Sequence, residues 1–203
     1  MRRLITNTFL TLDGVMQAPG GPEEDADGAF ALGGWSVNFW DDHMNQVMGE
    51  TMGVPFDLVL GRRTYDIFAA HWPRVGDEEG GKPLNEAGKY VASRQRPTLD
   101  WQNSQLLDHD VPAAVAALKA TDGPELQVHG SGDLLQTLMR HDLIDEYRLW
   151  VFPVVVGTGK RLFADGVVPG KLELVDSSVS TTGVVIGTYR PAGALTVGSF
   201  ALE

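Results

Sequence analysis

Residues 2–12 interleave Leu4, Ile5, Phe9 and Leu10 with Thr6, Asn7, Thr8 and Thr11, a loose alternation that predicts a strand. Segment 13–36 breaks the pattern. Its six glycines, at 14, 20, 21, 28, 33 and 34, stand among Pro and Asp and read as a long loop. Loops of that length inside a compact domain are usually functional or disordered. From 38 to 52, Phe39, Met44, Val47, Met48 and Met52 recur at helical spacing, and Pro55 follows the helix they predict. Residues 57–61 read as a short buried strand, and 64–72 as a helix opened by the polar turn Arg62-Arg63-Thr64.

Segment 73–88 reads as a polar loop with a short helix near Leu84, and 89–93 and 105–107 as short strands. Asp110 can cap a helix over 111–120, with Pro112 in its first turn. A strand over 125–129 runs into Gly130-Ser131-Gly132 and a helix over 133–141. A long apolar strand over 145–156 and a hairpin of 171–179 with 183–189 follow. Strands alternate with helices for two thirds of the chain, and strands then follow strands. This order predicts an α/β fold with a mostly parallel central sheet, flanked by helices and closed by an antiparallel C-terminal edge. Ligands in such sheets bind outside the carboxyl ends of the strands, so the loops after Leu12, Leu60, Ala92, Val128 and Phe152 are where chemistry is expected.

Composition narrows the classes. A length of 203 residues with 43% hydrophobic positions predicts a single domain over 1–203 that needs no staple. There are no cysteines, which excludes a thiol nucleophile and Cys-ligated metals and fits a reducing cytoplasm. A net charge of −11 disfavours polyanions, so no nucleic acid or anionic membrane is expected as a partner. No apolar run reaches membrane-helix length, and the five histidines show no two-ligand spacing on one helix face, so no metal site is expected.

Positive charge is scarce, yet Arg62 with Arg63, Arg94 with Arg96, and Lys160 with Arg161 stand in pairs, the first two beside predicted strand ends. Arg forks match phosphate oxygens, and helix N-termini add backbone donors, so a phosphorylated small molecule is one reading; solubilising charge is the other. Gly130-Ser131-Gly132 has the strand–turn–helix setting of a diphosphate turn, with Ser131 as a donor. It is not a Rossmann fingerprint, because Leu135 stands at the third glycine position. Gly157-Thr-Gly-Lys160 fails as a P-loop, with Val154 and Arg161 at required positions.

Thr11-Leu-Asp-Gly14, the stretch 58–65, His129-Gly-Ser-Gly-Asp-Leu134, and the segments 143–149 and 152–163 occur in an order and spacing that resemble one family. It is the dihydrofolate reductase-like family, which includes the reductase half of the bifunctional riboflavin-biosynthesis deaminase/reductase. The resemblance covers about 3–190. It implies NADPH as cofactor, with Gly61, Arg62, Arg63 and Thr64 at its phosphates and Ser93 and Arg94 at the adenosine 2′-phosphate. Gly130, Ser131, Gly132, Asp133 and Leu134 match the turn under the diphosphate. Two departures stand out: the deaminase half is absent, and Asn38-Phe-Trp-Asp-Asp42 replaces the Arg-bearing helix that the riboflavin enzyme presents to its substrate. They favour a stand-alone member with another substrate.

The reading is an NADPH-dependent reductase that transfers a hydride to a C=N or C=O bond of a small heterocyclic or sugar-linked substrate. Asp13 is the candidate for orienting substrate or relaying a proton, or else forms an Asx-type turn beside Gly14. Asp41 and Asp42 are the other acids on offer. Gly14, Trp35, Phe39, Trp40 and Pro153 are expected to wall the substrate pocket, with core packing as the alternative for the large ones. A non-catalytic nucleotide- or pterin-binding protein would use the same cleft. A homodimer through the C-terminal strands is expected.

Overall fold

Leu4–Thr11 forms β1, the middle of an eight-stranded sheet in a computed structural model that describes residues 1–77, 80–107 and 109–201. Residues 78–79 of the loop expected over 73–88, and the last two residues of the domain expected over 1–203, lie outside that range. The other strands are β2 (Phe56–Gly61), β3 (Lys89–Ala92), β4 (Ser104–Leu106), β5 (Glu125–His129), β6 (Glu146–Phe152), β7 (Leu172–Val179) and β8 (Val185–Pro191). Their order is β4-β3-β2-β5-β1-β6-β8-β7. The first six pair in parallel, β8 runs antiparallel to both β6 and β7, and β7 is the outer edge. The expected fold class is the one observed.

Among the described residues five α-helices connect the strands: α1 (Asp42–Met52), α2 (Arg62–His71), α3 (Gly81–Glu86), α4 (Val111–Ala120) and α5 (Gly132–Arg140). In α4 the Asp110 carboxylate accepts from the Ala113 N–H at 3.1 Å, and Pro112 sits where its missing N–H costs nothing. Two helix starts differ from expectation. α1 begins at Asp42 rather than 38, because extended Asp41 caps it, accepting from the Met44 N–H at 2.9 Å; 37–39 form a separate 3₁₀ turn. α2 begins at Arg62, so Arg62, Arg63 and Thr64 lie in its first turn rather than ahead of it. β6 stops at Phe152, short of 156, because Pro153 cannot donate to the ladder.

Alternate strand residues face opposite layers. Leu4, Val59, Leu126 and Val128 pack with Leu134, Leu135 and Leu138 of α5 and Val115 of α4. On the other face Leu58, Leu60 and Tyr65 form one cluster, and Met44 of α1 packs on Trp150, Phe152 and Ile186 in another. Each such side chain, fully buried, contributes roughly 1.5–3 kcal/mol, and together they fix which strand ends meet at one rim.

Candidate functional site

β2 and β5 deliver two helices to the carboxyl rim side by side. Neither α2 nor α5 has a side-chain N-cap: Gly61 precedes one, and Ser131, at φ 71°, precedes the other. The Ser131 hydroxyl instead bridges the two, accepting from the Gly61 N–H at 2.8 Å and donating to the Thr64 hydroxyl at 2.8 Å. The first-turn N–H groups of both helices have no intrahelical acceptor, and the two N-termini lie side by side at one rim, where the helix dipoles favour an anion.

The glycines leave room there. A Cβ on Gly132 would meet only the Met16 sulfur, at 3.8 Å, and one on Gly130 only the Thr64 hydroxyl, at 3.9 Å. Gly130 also has φ 70°, so its turn requires the left-handed region. The space over this turn and its donor set fit the diphosphate of a dinucleotide cofactor. The Asp133 side chain is exposed on the first turn of α5, whereas that of Leu134 is buried in the core, so Leu134 can offer only its backbone.

The other expected cofactor residues sit on the same rim. Arg62 is tied to Asp66 at 2.7 Å, one turn along α2, with both side chains substantially exposed. Ser93, just past β3, accepts from the Gln95 N–H at 3.1 Å, and Arg94 beside it is exposed with no ion pair among the described residues. Arg63 and Lys160 meet the carboxylates of Asp25 and Asp27 from the glycine-rich segment. Sequence reading missed both aspartates, since a pairing 36 or 135 residues apart leaves no local pattern.

Asp13 lies between the loops after β1 and β6. Its carboxylate accepts from the Thr11 hydroxyl at 2.6 Å and from the N–H groups of Val156 and Gly157 at 3.2 and 2.8 Å; Arg161 also approaches it. The Thr11 hydrogen bond leads in holding its pKa down at about 2, with the backbone donors adding to it. Asp41 is similarly occupied, by Thr181 as well as by the α1 cap, and its pKa is lowered, first by the Thr181 hydroxyl. Asp42, beside it, opens α1.

Aromatic rings cover the sheet beyond β1. Trp40 stacks on Trp150 with centroids 5.8 Å apart, Trp35 meets Phe152 edge-on at 5.3 Å, and Phe39 meets Phe152 at 6.1 Å. The Trp35 indole N–H donates to the Gln17 carbonyl at 2.8 Å. Pro153 is exposed just past β6, and Gly14 turns the chain at φ 80°.

Beneath them, Asn7, His129 and Arg148 lie in register on adjacent strands. Gln127 donates to Glu125 at 2.7 Å, which leaves its carbonyl oxygen to accept from Asn7 and, at 2.8 Å, from the Nε2–H of His129. Desolvation, with the nearby Arg148 charge, pushes the His129 pKa down to about 4. The unfolded chain then binds more protons between pH 6.5 and 4, so stability falls as pH falls through that window. Relative to pH 7.5, urea denaturation at pH 4.5 is expected to show up to roughly 2 kcal/mol less stability from this group. His129→Gln should flatten that dependence; identical profiles would refute the assignment.

Comparison with known proteins adds the family. Residues 2–186 match the model of the RibD C-terminal domain. The chain is 29% identical over 198 residues to protein YyaP of Bacillus subtilis (strain 168), covering 93% of this chain and 95% of that one. A riboflavin-biosynthesis-type protein from Shewanella sp. PV-4 superposes with a TM-score of 0.63 at 20% identity, over 94% of this chain and 99% of that one. Dihydrofolate reductase from Enterococcus faecalis, solved with NADP(H) and RAB-propyl, gives a TM-score of 0.60 at 15% identity over 94% of this chain and 96% of that one. The family anticipated from the ordered motifs is therefore found: this chain belongs to the RibD C-terminal domain family, with a dihydrofolate reductase-like fold.

Proposed function

We propose that the protein is an NADPH-dependent reductase acting on a C=N or C=O bond of a small heterocyclic or sugar-linked molecule. The observation that carries this reading is the pair of uncapped helix N-termini, α2 and α5, joined through Ser131 over an open glycine turn. Gly61–Thr64 and Gly130–Leu134 would hold the diphosphate by backbone N–H groups and the Thr64 and Ser131 hydroxyls. Arg62, Ser93 and Arg94 would take the 2′-phosphate. The bound cofactor supplies the hydride. Trp35, Trp40, Gly14 and Pro153 would line the space for the acceptor. Asp13, whose carboxylate is filled by loop donors, acts in this reading as a positioning residue that fixes the two loops against each other.

NADPH is expected to bind at least about ten-fold more tightly than NADH, since charge-assisted hydrogen bonds to one phosphate contribute ~1.5–3 kcal/mol. Calorimetric titration returning equal affinities would remove the 2′-phosphate assignment. A non-catalytic nucleotide- or pterin-binding role is the second reading, favoured by the saturation of both Asp13 and Asp41. Steady NADPH oxidation with carbonyl or imine acceptors separates the two.

The edge strand points to a homodimer. β7 exposes Leu174, Val175 and Val179 along an unpaired edge, which a second copy would cover. Light scattering is expected to give twice the chain mass of 22.0 kDa; a monomer at micromolar concentration would refute it.

A further inference from the structure

The glycine-rich segment after β1 brings two carboxylates to the start of α2. Asp27 lies 2.5 Å from the Arg63 guanidinium and 3.1 Å from the Lys160 ammonium. Asp25 lies 2.6 Å from Lys160 and 3.3 Å from Arg63. Each acid thus touches both cations. Asp133, at the start of α5, adds its negative charge to the field at Arg63.

The backbone of this strap is held independently of those ion pairs. The buried Gln17 amide donates to the carbonyls of Asp25 and Asp27 at 3.0 and 2.9 Å, and its oxygen accepts from the Lys160 N–H at 3.0 Å. Glu24 accepts from the N–H groups of Gly20 and Gly21. Met16, one residue before Gln17, is the nearest side chain to Gly132, so the strap lies against the diphosphate turn itself. The Asp27 and Arg63 side chains remain 50% and 55% exposed, and pairs so exposed contribute little, whereas a phosphate can take an Arg fork bidentately.

We propose that Asp25 and Asp27 are an internal counter-ion, which neutralises Arg63 and Lys160 in the nucleotide-free protein and gives them up to the diphosphate when the nucleotide binds. The proposal rests on the assignment of a dinucleotide to the α2–α5 cleft. Two acids on one backbone segment, two residues apart, match the charge a diphosphate would bring to those cations. The bare protein thereby avoids an uncompensated basic cleft that any small anion could fill. Nucleotide affinity is then set by a competition in which the strap side chains turn outward.

Calorimetric titration of NADPH, at fixed low ionic strength, tests this. The double variant Asp25→Asn with Asp27→Asn is expected to bind ~5–30-fold more tightly than the parent, and Asp27→Asn alone to fall between. Inorganic pyrophosphate should show the same ranking. In a background carrying Arg63→Gln and Lys160→Gln, neutralising the strap should give a smaller gain, because no cation remains to be released and only relief of carboxylate–phosphate repulsion is left. Melting curves establish that each variant is folded, and the single variant, at a half-exposed position, keeps the test available if the double one is not. Unchanged or weaker NADPH binding by a folded strap variant overturns the proposal and leaves the nucleotide reading standing. So does an equal gain in the cation-less background. If neither the parent nor any strap variant binds NADPH, the nucleotide reading falls and takes this proposal with it.

Discussion

Gly132→Val is expected to weaken NADPH binding about a hundred-fold while moving the melting temperature little. Gly132 has no positive φ, and a side chain there would meet only Met16, so the protein itself has room for it. Valine at the first helical position costs only a few tenths to ~0.7 kcal/mol in propensity. A diphosphate hydrogen-bonded to the Gly132–Leu134 N–H groups would meet the new methyls directly. Losing about two charge-assisted hydrogen bonds corresponds to ~3 kcal/mol or more, hence the hundred-fold. Gly130→Val is the contrasting variant: a β-branched residue forced to φ 70° should cost ~1–3 kcal/mol of stability. If Gly132→Val instead melts far below the parent yet binds NADPH normally when folded, the turn is purely structural and the phosphates lie elsewhere.

The second large effect concerns Lys89, whose side chain is fully buried at the start of β3. Its ammonium donates to the Asn85 carbonyl at 2.6 Å and sits 4.2 Å from the centre of the Trp101 ring. Desolvation lowers its pKa to about 8, against the opposing pull of Asp57. Lys89→Ala should cost ~2–4 kcal/mol, since it opens a cavity against Trp101, although the Asn85 carbonyl keeps the Gln102 amide as a donor. Lys89→Met keeps the volume and removes the buried charge, and is expected within about 1.5 kcal/mol of the parent. Urea unfolding of both variants checks this. Equal, large losses would show that the cation and its hydrogen bond matter more than the packed stem.

Lys89 also marks where sequence reading stops. Its strand was legible, because Lys-Tyr-Val-Ala sits between polar segments, but a lysine carries no local sign that a tryptophan twelve residues on will cover it. A local signal sufficed at Asp110 before α4, whereas the strand expected to run to 156 was carried past Pro153, which ends β6. The start of α1 escaped because the apolar spacing from Phe39 to Met52 continues through Asp41, and only the cap geometry ends it. The glycine turn and Gly61 could both be placed at the carboxyl rim from the alternation of strands and helices. The link between them through Ser131, the filling of Asp13 by Val156 and Gly157, and the acidic strap all join residues far apart in the chain. No periodicity encodes such pairings.

The position of β1 bears on how the protein is made. Of the eight strands, β1 comes earliest in the chain and sits inside the sheet, yet its partners are β5, where Leu4 meets Leu126, and β6, where Thr11 meets Phe152. At roughly 5–20 residues per second, Leu4–Thr11 waits on the order of ten seconds for the first of them. On one of its faces Leu4 and Leu10 flank Thr6 and Thr8, all buried, so the waiting segment is less apolar than a run of Val and Ile would be. The half-sheet β2–β3–β4 can close during that interval, and β1 then enters between two strands that are themselves new. A nascent chain stalled before Glu125 would therefore carry an orphaned central strand, the species a holding chaperone would need to recognise.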